Sequence, residues 1–458
     1  MIELGSARKN KINLDDYDYQ KDIQNRLFLS NLAPLEVEVL EEIIYSTLKI
    51  PLRKLARDLD LSEEEILPIL NKLEESGLFR IENDTLIVNK DTRKYYETGI
   101  TKFDVDFKPD MEYVYNFLKK VPIHVLPVWY SIPRTSNNIF ESILEKFLKT
   151  PLLYQRYYSE LGYQDPIITE IMEDVFNAPD FCVTAEEIRK KYDLSPELFE
   201  EYILHLEFNF ICALSYQKLD DTWIEVLTPF HEWKEHLLFI RDKSPVSIEN
   251  TSLIKRKRPS NFAFVEDAAK ILLNLSKKPA KLEEKDLFQR IIKTNDNEHY
   301  INELLGKMQL IKLIEIKEDH LHAKDTAQEW LEMTTETKAL YLYRHSLNCL
   351  LTAPPSYTEK QQREAEKSIR SVIDHSWVLF DDFIQGAIAI LDDEKKVVLH
   401  KKGRNWSYRA PHYSETDIAF IRASLFEGLF QSGMVAVGEI EEKDCFTVTP
   451  FGQTFFGS

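Results

Sequence analysis

Positive charge in this chain gathers at two places where its spacing suits contact with a polyanion. One is Lys255-Arg256-Lys257-Arg258, next to Pro259-Ser260. The other surrounds Trp406 and Tyr408, with Lys395, Lys396, His400, Lys401, Lys402, Arg404 and Arg409 nearby. Cations interleaved with aromatic rings clamp a phosphate backbone while the rings stack on bases, so both stretches are candidate nucleic-acid sites. The competing reading is plainer: a solvated lysine-rich turn, and an interdomain linker neutralised by acidic neighbours. A third candidate is Arg134-Thr135-Ser136-Asn137, placed by the pattern at a helix start, where free amides and the helix dipole hold an anion. There too a simpler role competes, in which Thr135 or Ser136 only caps the helix and Arg134 pairs with an acid.

Catalytic and cofactor signatures are missing. None of the 12 glycines falls in a GxxxxGK[ST] or GxGxxG spacing, and Gly306-Lys307 lacks both the upstream glycine and the following hydroxyl. His231 and His236 flank a zincin-like Glu232, but five residues on a helix separate them by about 140°, so they do not share a face. His320 and His322 share one side of a strand with no third ligand nearby, which reads as a hairpin surface. Cys182, Cys212, Cys349 and Cys445 show no CxxC spacing, and no GxSxG nucleophile elbow occurs. Neither catalytic residues, nor a metal site, nor a cofactor is expected. The residues describe a binding protein, with a remote enzyme alternative built around Pro122–Arg134 if Trp129, Tyr130 and Arg134 line a deep pocket.

The elements that position these residues form a weak internal repeat. An apolar helix from Leu35 to Ser46, an extended Lys49–Pro51, a helix Leu52–Asp58 and a helix Ser62–Ser76 lead to a hairpin turning at Asn83-Asp84. Ser62 and Glu65 make a capping box, Gly77 supplies the left-handed stop, and Pro68 is expected to kink the third helix. The order returns after Pro166, with Asp193-Leu194-Ser195 echoing Asp60-Leu61-Ser62 and Asn209 standing where Gly77 stood. It returns again after Ser260 with a turn at Glu318-Asp319, and once more from Glu366, where helices to His375 and over Asp382–Ile390 precede an extra hairpin turning at Gly403. Helix, short strand, helix, helix, hairpin is similar to a winged helix. The expectation is a mainly α protein with short β-hairpins (α+β), a tandem array of about four such repeats. In order these are an N-terminal arm (1–30), winged helix 1 (31–98), a helical and extended insert (99–163), winged helix 2 (164–245), a flexible basic linker (246–260), winged helix 3 (261–325), a helical connector (326–362) and winged helix 4 with the basic hairpin (363–458).

Charge on the third helix of each repeat decides how such an array meets nucleic acid, because that helix ordinarily enters the major groove. Here it is acidic. Glu63, Glu64, Glu65, Glu74 and Glu75 face Lys72 in the first repeat, and Glu197, Glu200, Glu201 and Glu207 face no base in the second. Glu298 and Glu303 face Lys307 in the third, and Glu415, Asp417 and Glu427 face Arg422 in the fourth. Phosphate contacts require the opposite sign, so these helices are expected to dock basic proteins.

The final third carries a further resemblance. Trp330-Leu331 opens a helix towards Leu347, Leu425-Phe426-Glu427-Gly428-Leu429-Phe430 precedes Gly433-Met434-Val435, and Phe446-Thr447-Val448-Thr449-Pro450-Phe451-Gly452 closes the chain. Together they resemble the N-terminal accessory region of bacterial XPB-type helicases, with its "WL" helix start, its helix-to-strand glycine turn and its closing "f.lTplG". The resemblance spans Asp325 to Gly457 and implies a transcription or repair context with partner contacts; the ATPase motor of that family has no counterpart here.

Composition agrees with this. The 458 residues are 43% hydrophobic and 29% charged, with 58 Lys plus Arg against 77 Asp plus Glu and a net charge of −19. That balance excludes a surface that wraps nucleic acid wholesale. Met1–Gln24 has no apolar signal core, so the expected location is cytoplasmic, with no membrane contact. The expected function is a non-enzymatic subunit of a DNA transaction complex. Its partners would be basic proteins or parts of a helicase, polymerase or chromosome assembly. The alternative is a protein-interaction scaffold that touches no nucleic acid.

Overall fold

Ser62 shows how local chemistry starts the first repeat. Its Oγ accepts the Glu65 amide at 3.2 Å while the Glu65 carboxylate accepts the Ser62 amide at 2.9 Å. These bonds satisfy amides that the first helical turn leaves without partners. The helix Glu63–Leu73 runs on through Pro68 and tightens over Glu74–Ser76, where Gly77 closes it at φ 64°. Asn83 and Asp84 both lie in the left-handed region, φ 45° and 54°, so the strands Phe79–Glu82 and Thr85–Val88 meet in a mirror-image tight turn that matches their twist. Lys49–Pro51 adds a third antiparallel strand, with Ile50 and Ile81 on either side of Leu86.

The computed structural model describes residues 8–133, 138–220, 222–293, 298–345, 350, 354, 356–403 and 405–457. It is a mixed α+β molecule of helices and short antiparallel sheets, as the sequence predicts. The chain divides into two units: Met1–Leu237 with Val398–Arg409, and Leu238–Val397 with Ala410–Ser458. The place of the extra hairpin is unexpected. Its sequence position puts it in the fourth repeat, whereas its packing puts it in the first unit.

Within the first unit, the order of the first repeat recurs as helix Pro166–Asn177, strand Val183–Thr184, helices Ala185–Tyr192 and Pro196–Phe208, and strands Cys212–Leu219 and Thr222–Pro229. The left-handed residue after its third helix is Phe210, φ 62°, and not Asn209, whose φ is −88°. Left-handed backbone costs a non-glycine residue roughly 1–2 kcal/mol, which here is opposed by burial and by bonding of the turn. Phe210 is 1% exposed and stacks on Tyr130 at 5.2 Å, and the Ile211 amide reaches back to the Leu206 carbonyl at 2.9 Å. The insert between the repeats latches onto this turn: Tyr130 donates to Phe208 O at 2.7 Å, Tyr157 to Asn209 Oδ1 at 3.0 Å, and Tyr154 to Phe210 O. Its elements are helices Met111–Leu118, Leu126–Trp129, Ile139–Ile143 with a wide turn Leu144–Leu148, and Pro151–Ser159. The predicted extended run over 122–133 is thus replaced at its centre by a helical turn, which buries Leu126 and Trp129.

The N-terminal arm is also more than a tail. Tyr19–Ser30 is a helix, and Arg26, 4% exposed, reaches Glu200 (2.5 Å) and Glu207 (2.7 Å) on the helix Pro196–Phe208. Lys102 completes the cluster, 3.1 Å from Glu207.

The second unit holds helices Ala263–Leu275, Lys285–Ile292 and Glu298–Leu310 with a three-stranded sheet of Ala280–Lys281, His320–Ala323 and Ile314–Lys317. Asp325–Glu332 and Thr335–Arg344 are separate helices because Thr334 caps the second. Glu359–Lys367, Phe380–Gly386 and Glu415–Ala423 accompany a four-stranded sheet ordered Val378–Leu379, Lys443–Val448, Val435–Ile440, Lys255–Arg256. The helix expected over 382–390 therefore starts earlier and stops at Gly386. Buried Ile271, Leu304, Trp330, Phe383, Phe426 and Phe446 belong to one continuous core. Among the described residues no helix is long and apolar enough to cross a membrane.

Candidate nucleic-acid interface

The extra hairpin pairs Leu399 with Tyr408, His400 with Ser407, Lys401 with Trp406 and Lys402 with Asn405, turning at Gly403 with φ 66°. Alternation along the strands puts Leu399, Lys401, Trp406 and Tyr408 on one face and His400, Lys402, Asn405 and Ser407 on the other. The first face docks. Leu399 is buried and its amide donates to the Lys149 carbonyl at 2.8 Å. Tyr408 donates to Leu148 O at 2.7 Å and stands edge-on to Trp233 at 6.2 Å. Burial raises its phenol well above the ordinary range. Trp406 meets the edge of Phe140 at 6.4 Å, and Lys401 Nζ lies 5.4 Å from the Trp406 ring centre. Lys401, Lys402 and Arg409 are exposed, and none has an acidic partner among the described residues.

This revises the role of two predicted residues. Tyr408 serves as an anchor through its hydroxyl and its contacts with Trp233 and His236, while Trp406 is half-buried and packs against Phe140. Arg404 lies outside the described residues, as do Arg134 and Ser136 of the predicted anion site. Lys395 and Lys396 are neutralised by Asp392 (2.7 Å) and Asp393 (2.5 Å), in the way expected of a plain solvated turn.

The stretch Lys255–Arg258 is a correction. It is not a flexible linker: Lys255 and Arg256 pair with Glu439 and Gly438 as an edge strand, and the Lys257 amide donates to Val437 O at 2.8 Å. The side chains are largely engaged. Arg256 bonds Asn261 at 2.7 Å and covers Trp377, Lys257 lies 3.6 Å from Glu303 and over Phe430, and Arg258 pairs with Asp267 at 2.7 Å. Lys257 and Arg258 thus face acids of the fold, whereas Arg256 is exposed with a neutral partner. Lys255 alone of the four is exposed with neither an acid nor a ring against its ammonium among the described residues.

The acidic third helices also sort differently from their sequence reading. Glu63, Glu64, Glu65, Glu74 and Glu75 are exposed as expected. Glu200, Glu207, Glu303, Asp417 and Glu427 are buried, so they present no docking surface. Burial would raise the Glu207 carboxyl, but Arg26 and then Lys102 outweigh it and hold the group down at about 2. Lys102 itself is pulled down to about 8 by burial, against the attraction of Glu207. A sequence signal for this cluster does exist: Arg26 falls three residues after Ile23 on the buried face of its helix, and Glu200 and Glu207 are two turns apart beside Ile203 and Leu204.

Of the residues considered for enzyme chemistry, those described are held in separate structural contacts, and Arg134 lies outside the described residues. His236 is buried, which lowers it to about 4, and His231 is not paired with it. Glu232 accepts the Met111 amide at 2.9 Å. Trp129 and Tyr130 are 4% and 3% exposed, border a cavity of only about 180 Å³, and are held by Asp16 and Phe208 respectively. No group of metal-ligating side chains occurs among the described residues. No protein-family model matches this chain, and no curated protein matches it.

Proposed function

We propose that the chain is a non-enzymatic tandem winged-helix subunit of a DNA transaction complex, in transcription, repair or chromosome handling. It contacts nucleic acid through the Leu399–Tyr408 hairpin and docks a basic protein partner on the helix Glu63–Ser76. The observation that carries this reading is the hairpin: anchored by Leu399 and Tyr408, it leaves Lys401 on one face and Lys402 on the other exposed, with no acid among the described residues to neutralise them. Support for the array comes from backbone punctuation that recurs at matching places. Asp60, Asp193 and Lys293 are left-handed ahead of the third helix, and Gly77, Phe210, Lys312 and Gly433 are left-handed after it. The Ile211, Leu313 and Met434 amides each bond the carbonyl five residues back, closing the helix in the same way.

Titration with labelled nucleic acid at two salt concentrations tests the proposal. Affinity falls with salt, and Lys401→Glu with Lys402→Glu abolishes binding. Absence of binding at low salt overturns the nucleic-acid half. The scaffold reading would then rest on the exposed acids of Glu63–Ser76 together with Glu197 and Glu415.

A further inference from the structure

The docked hairpin completes a row that begins in the insert. Lys119 Nζ sits 3.9 Å from the centre of the Tyr115 ring, Tyr115 meets Phe140 edge-on at 5.1 Å, Phe140 meets Trp406 at 6.4 Å, and Lys401 Nζ lies 5.4 Å from Trp406. Cation, ring, ring, ring, cation therefore follow one another across elements far apart in sequence. The row is accessible: Tyr115 is 45% exposed, Lys119 and Lys401 are exposed, and Phe140 and Trp406 are half-buried. Beside it runs an open groove of about 720 Å³, lined among others by Tyr115, Lys119, Ile123, Leu126 and Phe140, with Ile123 72% exposed. A groove of this size holds one or two flat rings.

We infer that this row binds an unpaired, single-stranded nucleic acid, with bases stacked on Tyr115, Phe140 and Trp406 and phosphates held by Lys119 and Lys401. The inference rests on the nucleic-acid reading of the hairpin and specifies its ligand. Duplex is a poor fit because its bases are already stacked on each other, whereas partly exposed rings stack on bases that are unpaired. Charge complementarity points the same way. The two terminal lysines lie over ring faces, a placement worth about 0.5–1 kcal/mol at exposed sites, so an arriving base displaces the flexible ammonium, which turns to the adjoining phosphate. Beyond Lys119 the adjacent cavity, about 500 Å³, is of mixed charge, lined by Lys21, Lys94 and Lys120 but also by Asp18, Asp22 and Asp91, so the row ends at Lys119. Glu112, one turn before Tyr115, and Glu141, next to Phe140, are exposed acids that oppose phosphate near the rings, so stacking carries more of the affinity than charge.

The test uses the full chain and fluorescence anisotropy with three labelled probes of equal length: oligothymidylate, an abasic strand and a duplex. Oligothymidylate is expected to bind at least about tenfold more tightly than the abasic strand. Tyr115→Ala removes most of that difference while leaving abasic binding unchanged, and Tyr115→Phe retains it; Tyr115 is exposed, so neither change threatens folding. Lys119→Gln weakens all probes and reduces the salt slope by about 1. Equal affinity for thymidylate and abasic strands, duplex preferred over single strand, or a Tyr115→Ala chain that binds like the parent overturns the inference. In those cases loss of binding in the Lys401→Glu, Lys402→Glu chain still upholds the hairpin reading. No binding of any probe at low salt overturns both.

Discussion

The Tyr408 hydroxyl donates a hydrogen bond to the Leu148 carbonyl at 2.7 Å, across 260 residues of sequence. It fixes the basic hairpin to the wide turn Leu144–Leu148, and its removal separates anchoring from charge.

Tyr408→Phe keeps the ring against Trp233 and deletes only the donor. Stability is expected to fall by about 0.5–1.5 kcal/mol, since the bond is lost and a carbonyl is left without that partner. Trypsin should then cut at Lys401 or Lys402 faster than in the parent chain, read by mass spectrometry of the first fragments.

Arg26→Met leaves Glu200 and Glu207 buried without the guanidinium between them. Removing one partner of a buried ionic cluster costs about 3–5 kcal/mol, measured by urea unfolding. Glu207 is held near 2, below its unfolded value of 4.5, so its contribution is present above pH 4.5 and is lost as pH falls towards 2. The deficit of Arg26→Met should accordingly be larger at pH 7 than at pH 3.

Glu232 behaves in the opposite sense. Burial raises its carboxyl to about 8, so between pH 4.5 and 8 the folded chain holds a proton that the unfolded chain has released. Its effect on stability worsens as pH rises through that window. Glu232→Gln should gain on the parent by at least about 1 kcal/mol between pH 5 and pH 8, since each tenfold difference in proton affinity between folded and unfolded chains is worth about 1.4 kcal/mol. Because His236 titrates in both chains, the comparison between them isolates Glu232.

Two glycines with similar backbone angles separate strain from space. A Cβ at Gly77 (φ 64°) meets nothing within 4 Å, so Gly77→Ala costs only the left-handed strain, about 1–2 kcal/mol. At Gly433 (φ 69°) it would lie 2.6 Å from Phe262 Cδ1, so Gly433→Ala should cost more. Paired thermal melts check the order.

Local grammar carries most of the secondary structure in the sequence. Ser62 with Glu65, Thr184 with Glu187, and Asn83-Asp84 announce caps and turns within a few residues, and each lies where its chemistry requires. Features that the sequence misplaces depend on partners far along the chain. The strand character of Lys255–Arg256 comes from Val435–Ile440, where Gly438 admits it: a Cβ there would sit 2.7 Å from Ile254 Cγ2. The turn at Glu441-Glu442 is left-handed at residues that seldom adopt that conformation, which hides the length of the two strands around it. For the site, Lys401, Lys402 and Trp406 are legible as an aromatic and basic cluster. Tyr115, Lys119 and Phe140 are not, since only the docked hairpin brings Trp406 beside Phe140. Glu200 and Glu207 read as surface acids in the sequence because their partner, Arg26, stands more than 170 residues away.

The assignment of Val398–Arg409 to the first unit has a bearing on biogenesis. When Leu237 leaves the ribosome, the seat of Leu399 and Tyr408 is still empty, and the segment that fills it is complete only at residue 409, roughly 10–30 s of translation later at ordinary rates. During that interval the nascent first unit exposes the apolar ground around Phe140 and Trp233, and a truncated gene product that stops before residue 398 would expose it permanently.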